Sequence, residues 1–248
     1  MPSQRRLLPP LVLALAASAA CAEDVASLLK AADRYRMGSA NLRVETQVRV
    51  MKADGTLEKE RRYTVFAQTG QRTLILMQSA AEKGQKVLML GDDYWLLLPG
   101  SQRPLRITPM QKLLGDASTA DIATLSWAQD YAGSVVAQER CGEPERDCIH
   151  LSLQANRKAV TYQRIELWLG KARHEPVQAD LFVQSDKLAK HARFVLGEDK
   201  PAAVSAMWLQ DRLTSKMETE VRYLGRKEEE VPQAWLNPMF LARNPGLE

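Results

Sequence analysis

The sequence predicts a mainly β protein: one strongly curved, continuous antiparallel sheet, with a helix before it and a short, partly helical insertion within it. Three observations carry this. Segment after segment shows apolar residues with period two. Close-spaced turn signals divide those segments. Only two stretches, 23–37 and 104–131, show helical spacing instead.

The chain opens on a different kind of signal. Met1 to Arg6 holds two arginines, Leu7 to Ala20 is almost wholly apolar, and Ala20-Cys21-Ala22 is a small-x-small site. The apolar run is too short to span a bilayer, and Pro9-Pro10 interrupts its start. Residues 1–22 therefore read as a secretory signal peptide and 23–248 as the working chain, one domain in an exported protein. Acylation at Cys21 is the competing reading. The residues ahead of it, Ser18-Ala19-Ala20, lack the large aliphatic residue that lipoprotein processing prefers.

Glu23 to Met37 is an amphipathic helix, with Val25, Leu28, Leu29 and Ala32 on one stripe, Asp24 near the start and Gly38 beyond the end. From Asn41 to Val50 the period becomes two: Leu42, Val44, Val48 and Val50 are apolar, Arg43, Glu45, Gln47 and Arg49 polar. That is a strand with one dry and one wet face. Asp54-Gly55 marks a hairpin, and Glu58 to Ala67 returns with Tyr63 and Val65 on the dry side. Thr69-Gly70, Glu82-Lys83-Gly84 and Gly91-Asp92-Asp93 separate strands over 71–77, 85–90 and 94–98. Pro104 to Tyr131 breaks the rhythm. Ile107, Met110, Leu113 and Leu114 have helical spacing, and Ser118 and Thr119 can cap a helix over 121–127. This insertion reads equally as a plug at one end of the domain or as a lid. Strands resume over 134–139, 149–153, 160–169, 177–183, 192–196, 203–209 and 217–223, about a dozen in all. Residues 231–248 form a tail that packs back on the sheet.

Composition narrows the function. Without Arg5 and Arg6 the chain has 32 basic against 30 acidic residues, scattered, which gives no case for nucleic acid. Cys141 and Cys148 flank the polar turn Gly-Glu-Pro-Glu-Arg-Asp and read as a disulfide closing a hairpin. No nucleophile elbow, P-loop, dinucleotide fingerprint or zinc-protease motif is present. His150, His174 and His191 are scattered, and Asp92-Asp93 suits a turn better than a metal. No catalytic residue, metal site or cofactor is nominated. A curved sheet of this size either fills its concave face with its own side chains or leaves an apolar cavity.

The run Tyr94 to Ile107 is an aromatic strand ending in Leu98-Pro99 and followed by a basic segment. With Gln111 to Ser118, Asp121-Ile122, Lys86 to Leu90 and Asn237 to Leu241, it resembles the outer-membrane lipoprotein-sorting protein family, the LolA/LolB-like proteins, in the branch accompanying RND-type exporters. The resemblance runs in order along the whole chain after residue 22. It implies an unclosed antiparallel β-barrel with a helical lid, a hydrophobic cavity, and transport of lipids or acylated proteins across the periplasm, without cofactor or catalysis. One departure is Leu113-Leu114-Gly115-Asp116-Ala117, where the branch has Phe-Met-Gly-Ser-Asp, so the lid contact stays open. On this reading the cavity and lid residues are Val87, Met89, Trp95, Leu97, Met110, Leu113, Leu114 and Trp127. The partners are lipid or lipoprotein acyl chains, with an inner-membrane exporter or outer-membrane acceptor. Two rivals stand beside it. One is an envelope sensor or adaptor on the same fold. The other is a hydrolase, which would need a serine beside His150 or His191 in a cleft.

Overall fold

The computed structural model describes residues 24–123, 126–157, 160–198, 203–212 and 217–243. The signal-peptide and Cys21 readings fall outside them. Helix α1 (Val25–Arg34) starts at Asp24, whose carboxylate accepts from the Ala26 amide, and buries Leu28, Leu29, Ala31 and Ala32. It is shorter than the 23–37 stripe suggests.

The strands are β1 (Asn41–Met51), β2 (Leu57–Gln68), β3 (Arg72–Met77), β4 (Lys86–Leu90), β5 (Asp93–Leu97), β6 (Leu105–Ile107), β7 (Lys112–Leu114), β8 (Ala117–Ser118), β9 (Tyr131–Cys141), β10 (Arg146–Ala155), β11 (Arg164–Gly170), β12 (Pro176–Phe182), β13 (Leu188–Leu196), β14 (Val204–Asp211) and β15 (Glu218–Glu228). Thirteen of these make one antiparallel sheet in the order β6-β5-β4-β3-β2-β1-β15-β14-β13-β12-β11-β10-β9. Two meanders thus join through the β1–β15 pair, and β6 and β9 are the open edges. This is the unclosed barrel expected from the sequence.

The insertion departs from expectation. Ile107, Met110, Leu113 and Leu114 do not share a helix. Ile107 ends β6, Leu113 and Leu114 lie in the small β7–β8 hairpin, and Met110 is exposed in the turn between. In so short a run, spacing alone cannot separate a helix stripe from two strands and a turn. The only described helix here is α2 (Thr119–Ala123), ahead of the predicted 121–127 span. Ser118 and Asp121 form its start: the Asp121 carboxylate accepts from the Ser118 amide and hydroxyl, each at 2.7 Å.

The main core lies on the concave face. It collects α1, the inward residues of β1–β5 and β9–β15, and α2. A second, smaller core lies on the opposite face of β2–β5. There the 3₁₀ turns Gln233–Leu236 and Pro238–Phe240 lay Val231, Leu236 and Leu241 over Phe66, Leu74, Leu76 and Leu88. Trp235 meets Phe66 edge-on at 5.6 Å, and the Lys86 ammonium donates to the Leu241 carbonyl at 3.4 Å. Cys141 and Cys148 are disulfide-bonded across the β9–β10 turn.

Candidate functional site: the roofed concave face

The sheet register divides the predicted cavity residues between two faces. Val87 stands opposite Leu96 and Met89 opposite Tyr94, while Leu88 stands opposite Trp95 and Lys86 opposite Leu97. Val87 and Met89 belong to the concave core, as expected. Trp95 and Leu97 do not: they point to the other face and pack in the tail-covered cluster, with the Arg106 guanidinium 5.2 Å from the Trp95 ring. The cause is physical. Strands β2–β5 are covered on both sides, so their apolar runs lack the alternation that reveals parity, and a one-residue error flips the face. Trp127, Leu113 and Leu114 do reach the concave core, Trp127 fully buried and the two leucines partly. Met110 is exposed and takes no part in it.

All five residues of α2 are buried, so the insertion lies deep in the mouth of the half-barrel. Polar contacts fasten it at three places. In the middle, Asp121 and Lys190 form an almost fully buried ion pair at 2.5 Å, and the Tyr162 hydroxyl donates to the other Asp121 oxygen at 2.7 Å. Burial alone would raise the Asp121 pKa. The Lys190 charge and the hydrogen bonds from Lys190, Ser118 and Tyr162 outweigh it and hold the carboxyl below its usual value. At one end, Asp33 on α1 accepts from the Ser126 hydroxyl, the Trp127 amide and the Ala128 amide at 2.8–2.9 Å. Arg36, one helical turn further on, lays its guanidinium 4.0 Å above the Trp127 ring. At the other end, the Asp116 amide donates to the Thr219 hydroxyl at 2.8 Å. Gly115 is in the left-handed region (φ 55°) at this contact. A Cβ there would come within 2.5 Å of the Thr219 hydroxyl and 2.6 Å of Val50, so only glycine fits.

The sequence alone names none of these residues as a clasp. Two signals were present. Ser118-x-x-Asp121 is a helix-start pattern, and Lys190 occupies the same strand face as Ala192 and Phe194, a dry position for a charge.

Beneath α2 and Trp127 the apolar interior is nearly filled. A cavity of about 50 Å³ remains, lined by residues that include Tyr94, Trp127, Ile165, Leu181, Phe194 and Met207. That is room for about two water molecules, far below the roughly 300–1,000 Å³ of ligand pockets. The structure is a closed form.

Neither His150 nor His191 is hydrogen-bonded to a serine among the described residues. His150 stacks on Trp168 at 4.2 Å, and its Nε2 meets Glu166 at 2.9 Å; Ser152 donates to the same Glu166 rather than to His150. His191 pairs with Asp180 at 2.6 Å. Both are ladders between neighbouring strands on the polar face. Among the described residues, no group of three or more His, Cys, Asp or Glu is placed to hold a metal.

An open antiparallel half-barrel, with its concave apolar face roofed by a fastened insertion, defines the class: a LolA-superfamily fold. A LolA superfamily protein from Nitrosomonas europaea superposes with a TM-score of 0.76 at 25% identity, over 86% of this chain and 97% of that one. A domain described as an outer membrane lipoprotein-sorting protein domain, from Vibrio parahaemolyticus, gives 0.70 at 16% identity, over 88% and 98%. A DUF1329 family protein from Desulfovibrio piger gives 0.69 at 20%, over 86% and 95%; these two likenesses show the fold alone. No curated protein matches the chain in sequence. A family model described as uncharacterized protein-like matches residues 69–243, more than two thirds of the chain, and the chain belongs to that family.

Proposed function

We propose that the protein is a periplasmic carrier. It holds acyl chains of lipids or lipoproteins between the concave face and the insertion, which acts as a lid, and passes them toward the outer membrane, with an RND-type exporter as inner-membrane partner. Residues 1–22 direct export and are removed. One observation carries the reading: an apolar concave face is roofed by a separate segment, fastened to α1, β13 and β15 by polar bonds and resting on the core through Ile122, Ala123 and Trp127. Such a cover can lift where water replaces its hydrogen bonds and an incoming apolar ligand replaces its contacts with the core. An acyl chain entering beneath it gains about 25 cal/mol per Å² of buried apolar surface, which replaces the burial lost by Ile122 and Trp127. The closed form is the empty carrier, and ligand selects the open one.

The test uses the chain's five tryptophans. In one variant Trp127 is the only one kept, the others being phenylalanine; in a second, Trp95 is. A bromine-labelled fatty acid is expected to quench Trp127, in the concave core, and to leave Trp95, on the far face, unaffected. Equal quenching of both, or none, would overturn the reading. Acyl lipid retained by the natively purified protein, read by mass spectrometry, is the second expected result.

A further inference from the structure

A second cavity, of about 300 Å³, adjoins the apolar one, and Arg157 lines both. Its walls are the end of α1 and the chain after it (Asp33, Met37 to Ala40), the β2–β3 turn, and the segment after α2 (Ser126, Gln129, Asp130). Met89 and Ala123 form its apolar floor toward the concave core. The cavity is thus polar at the mouth and apolar at the base.

Its charge is set by Asp33, Asp130 and Arg157. Asp33 is committed to the 126–128 turn through both carboxylate oxygens. Asp130 is only 1% exposed. Its Oδ1 accepts from Arg157 Nε at 2.9 Å and from the Gln71 amide. Its Oδ2 accepts no hydrogen bond among the described residues. Arg157 divides its charge between Asp130 and Asp92. The lining therefore carries two carboxylates against one shared guanidinium, and one oxygen of the largely buried Asp130 carboxylate is left over. Burial, with Asp33 adding to it, pushes the Asp130 pKa up to about 6.

We propose that this cavity is a headgroup site for an amphiphile bearing a primary ammonium group, which donates to Asp130 Oδ2 while its acyl chain lies in the adjoining concave core. This rests on the carrier reading and deepens it. An anionic headgroup would face two carboxylates, and a neutral hydroxyl could donate to Oδ2 but would bring no compensating charge. The ammonium alone supplies both the charge and the donor.

The experiment measures binding of three short-chain probes to the full-length mature protein at about pH 7.5: dihexanoyl phosphatidylethanolamine, dihexanoyl phosphatidylglycerol and octylamine. One charge-assisted hydrogen bond predicts that the ethanolamine lipid binds roughly tenfold or more tighter than the glycerol lipid. Asp130→Asn should remove that preference, weakening the ethanolamine lipid while the anionic glycerol lipid, facing one carboxylate fewer, binds at least as tightly as before. Gln129→Lys, at an exposed lining position where folding is not at risk, should reverse the order. Octylamine separates the sources: binding as tight as the ethanolamine lipid assigns the site to amines in general, and weaker binding assigns it to the lipid headgroup. Equal binding of the two lipids, or a preference that survives both substitutions, overturns the headgroup site while leaving the carrier intact. Failure of every probe, in the parent protein and in both variants, overturns the carrier reading with it.

Discussion

The two halves of the sheet solve the problem of a β surface differently. Strands β2–β5 are buried on both sides: Tyr63, Val65, Ile75, Val87 and Met89 face the concave core, and Phe66, Leu74, Leu76 and Leu88 face the returning tail. Strands β10–β14 are buried on one side only. Their outer face is a lattice of cross-strand polar pairs: Glu166 gathers His150, Ser152 and Arg164, Trp168 donates to Glu139 at 2.6 Å, and His191 meets Asp180. The first half gains stability from two layers of apolar packing. The second depends on one layer, exposes its other face at little cost, and closes its far hairpin with a disulfide.

This contrast orders the expected effects of substitution. The largest is in the tail-covered layer. Phe66→Ala removes a fully buried ring and its edge contact with Trp235, with an expected cost of about 3–5 kcal/mol. At about 2–4 °C per kcal/mol for a domain of this size, thermal unfolding should show a fall of roughly 6–20 °C. A drop below about 2 °C would mean that the tail does not cover this face in solution, and the two halves would no longer differ.

Comparable in size is the loss of Lys190, which belongs to the singly covered half but points inward. Lys190→Met leaves Asp121 buried without its cation, with an expected cost of about 3–5 kcal/mol, while Lys190→Met with Asp121→Leu should recover much of it. The pH dependence follows in sign. Asp121 has a pKa below its ordinary 3.8. Its contribution is complete above that value and is lost as pH falls through the folded value. The stability difference between the parent and Asp121→Asn should stay constant from neutral pH down to about 5 and shrink below about 4. Denaturant titrations across that range read it, and a difference that shrinks near neutrality would break the assignment.

The next effect is smaller. Cys141→Ser with Cys148→Ser opens a short loop at the far end of the singly covered half. The expected loss is about 2–3 kcal/mol, visible as a lower denaturant midpoint with reductant having no further effect.

The same contrast explains which parts of the fold could be read from the sequence. Where one face is wet, alternation carries the face as well as the strand. Ala179 and Leu181 face inward as their pattern says, and so do Leu42, Val44, Val48 and Val50, while Val177, at a bulge, packs instead against the disulfide and Trp168. Where both faces are dry, the strand is legible and the face is not, which is why Trp95 and Leu97 read as concave in the sequence and lie on the tail-covered face. The clasp was illegible for another reason. Asp121 and Lys190 are 69 residues apart, and a lone lysine on a dry strand position names no partner. The unclosed barrel came through because it needs only the number of strands, their antiparallel turns and their curvature. The interruption over 104–131 is visible as an interruption, but its hairpin is not, because strands of three and two residues are shorter than the pattern that would reveal them.

The smallest expected effect tests the other side of the comparison. Glu166 is the centre of the outer ladder, touched by His150, Ser152 and Arg164. By count of partners it looks more important than Phe66. Yet its side chain keeps 17% exposure beside open solvent, so each bond it makes replaces one to water, and the three partners can turn to water when it is gone. Glu166→Gln preserves shape and one acceptor, and should change stability by less than about 1 kcal/mol. Thermal unfolding of Glu166→Gln and Phe66→Ala under identical conditions decides the matter. If the glutamate costs as much as the phenylalanine, the polar lattice is a second structural layer in its own right, and the two halves are covered alike by different chemistry.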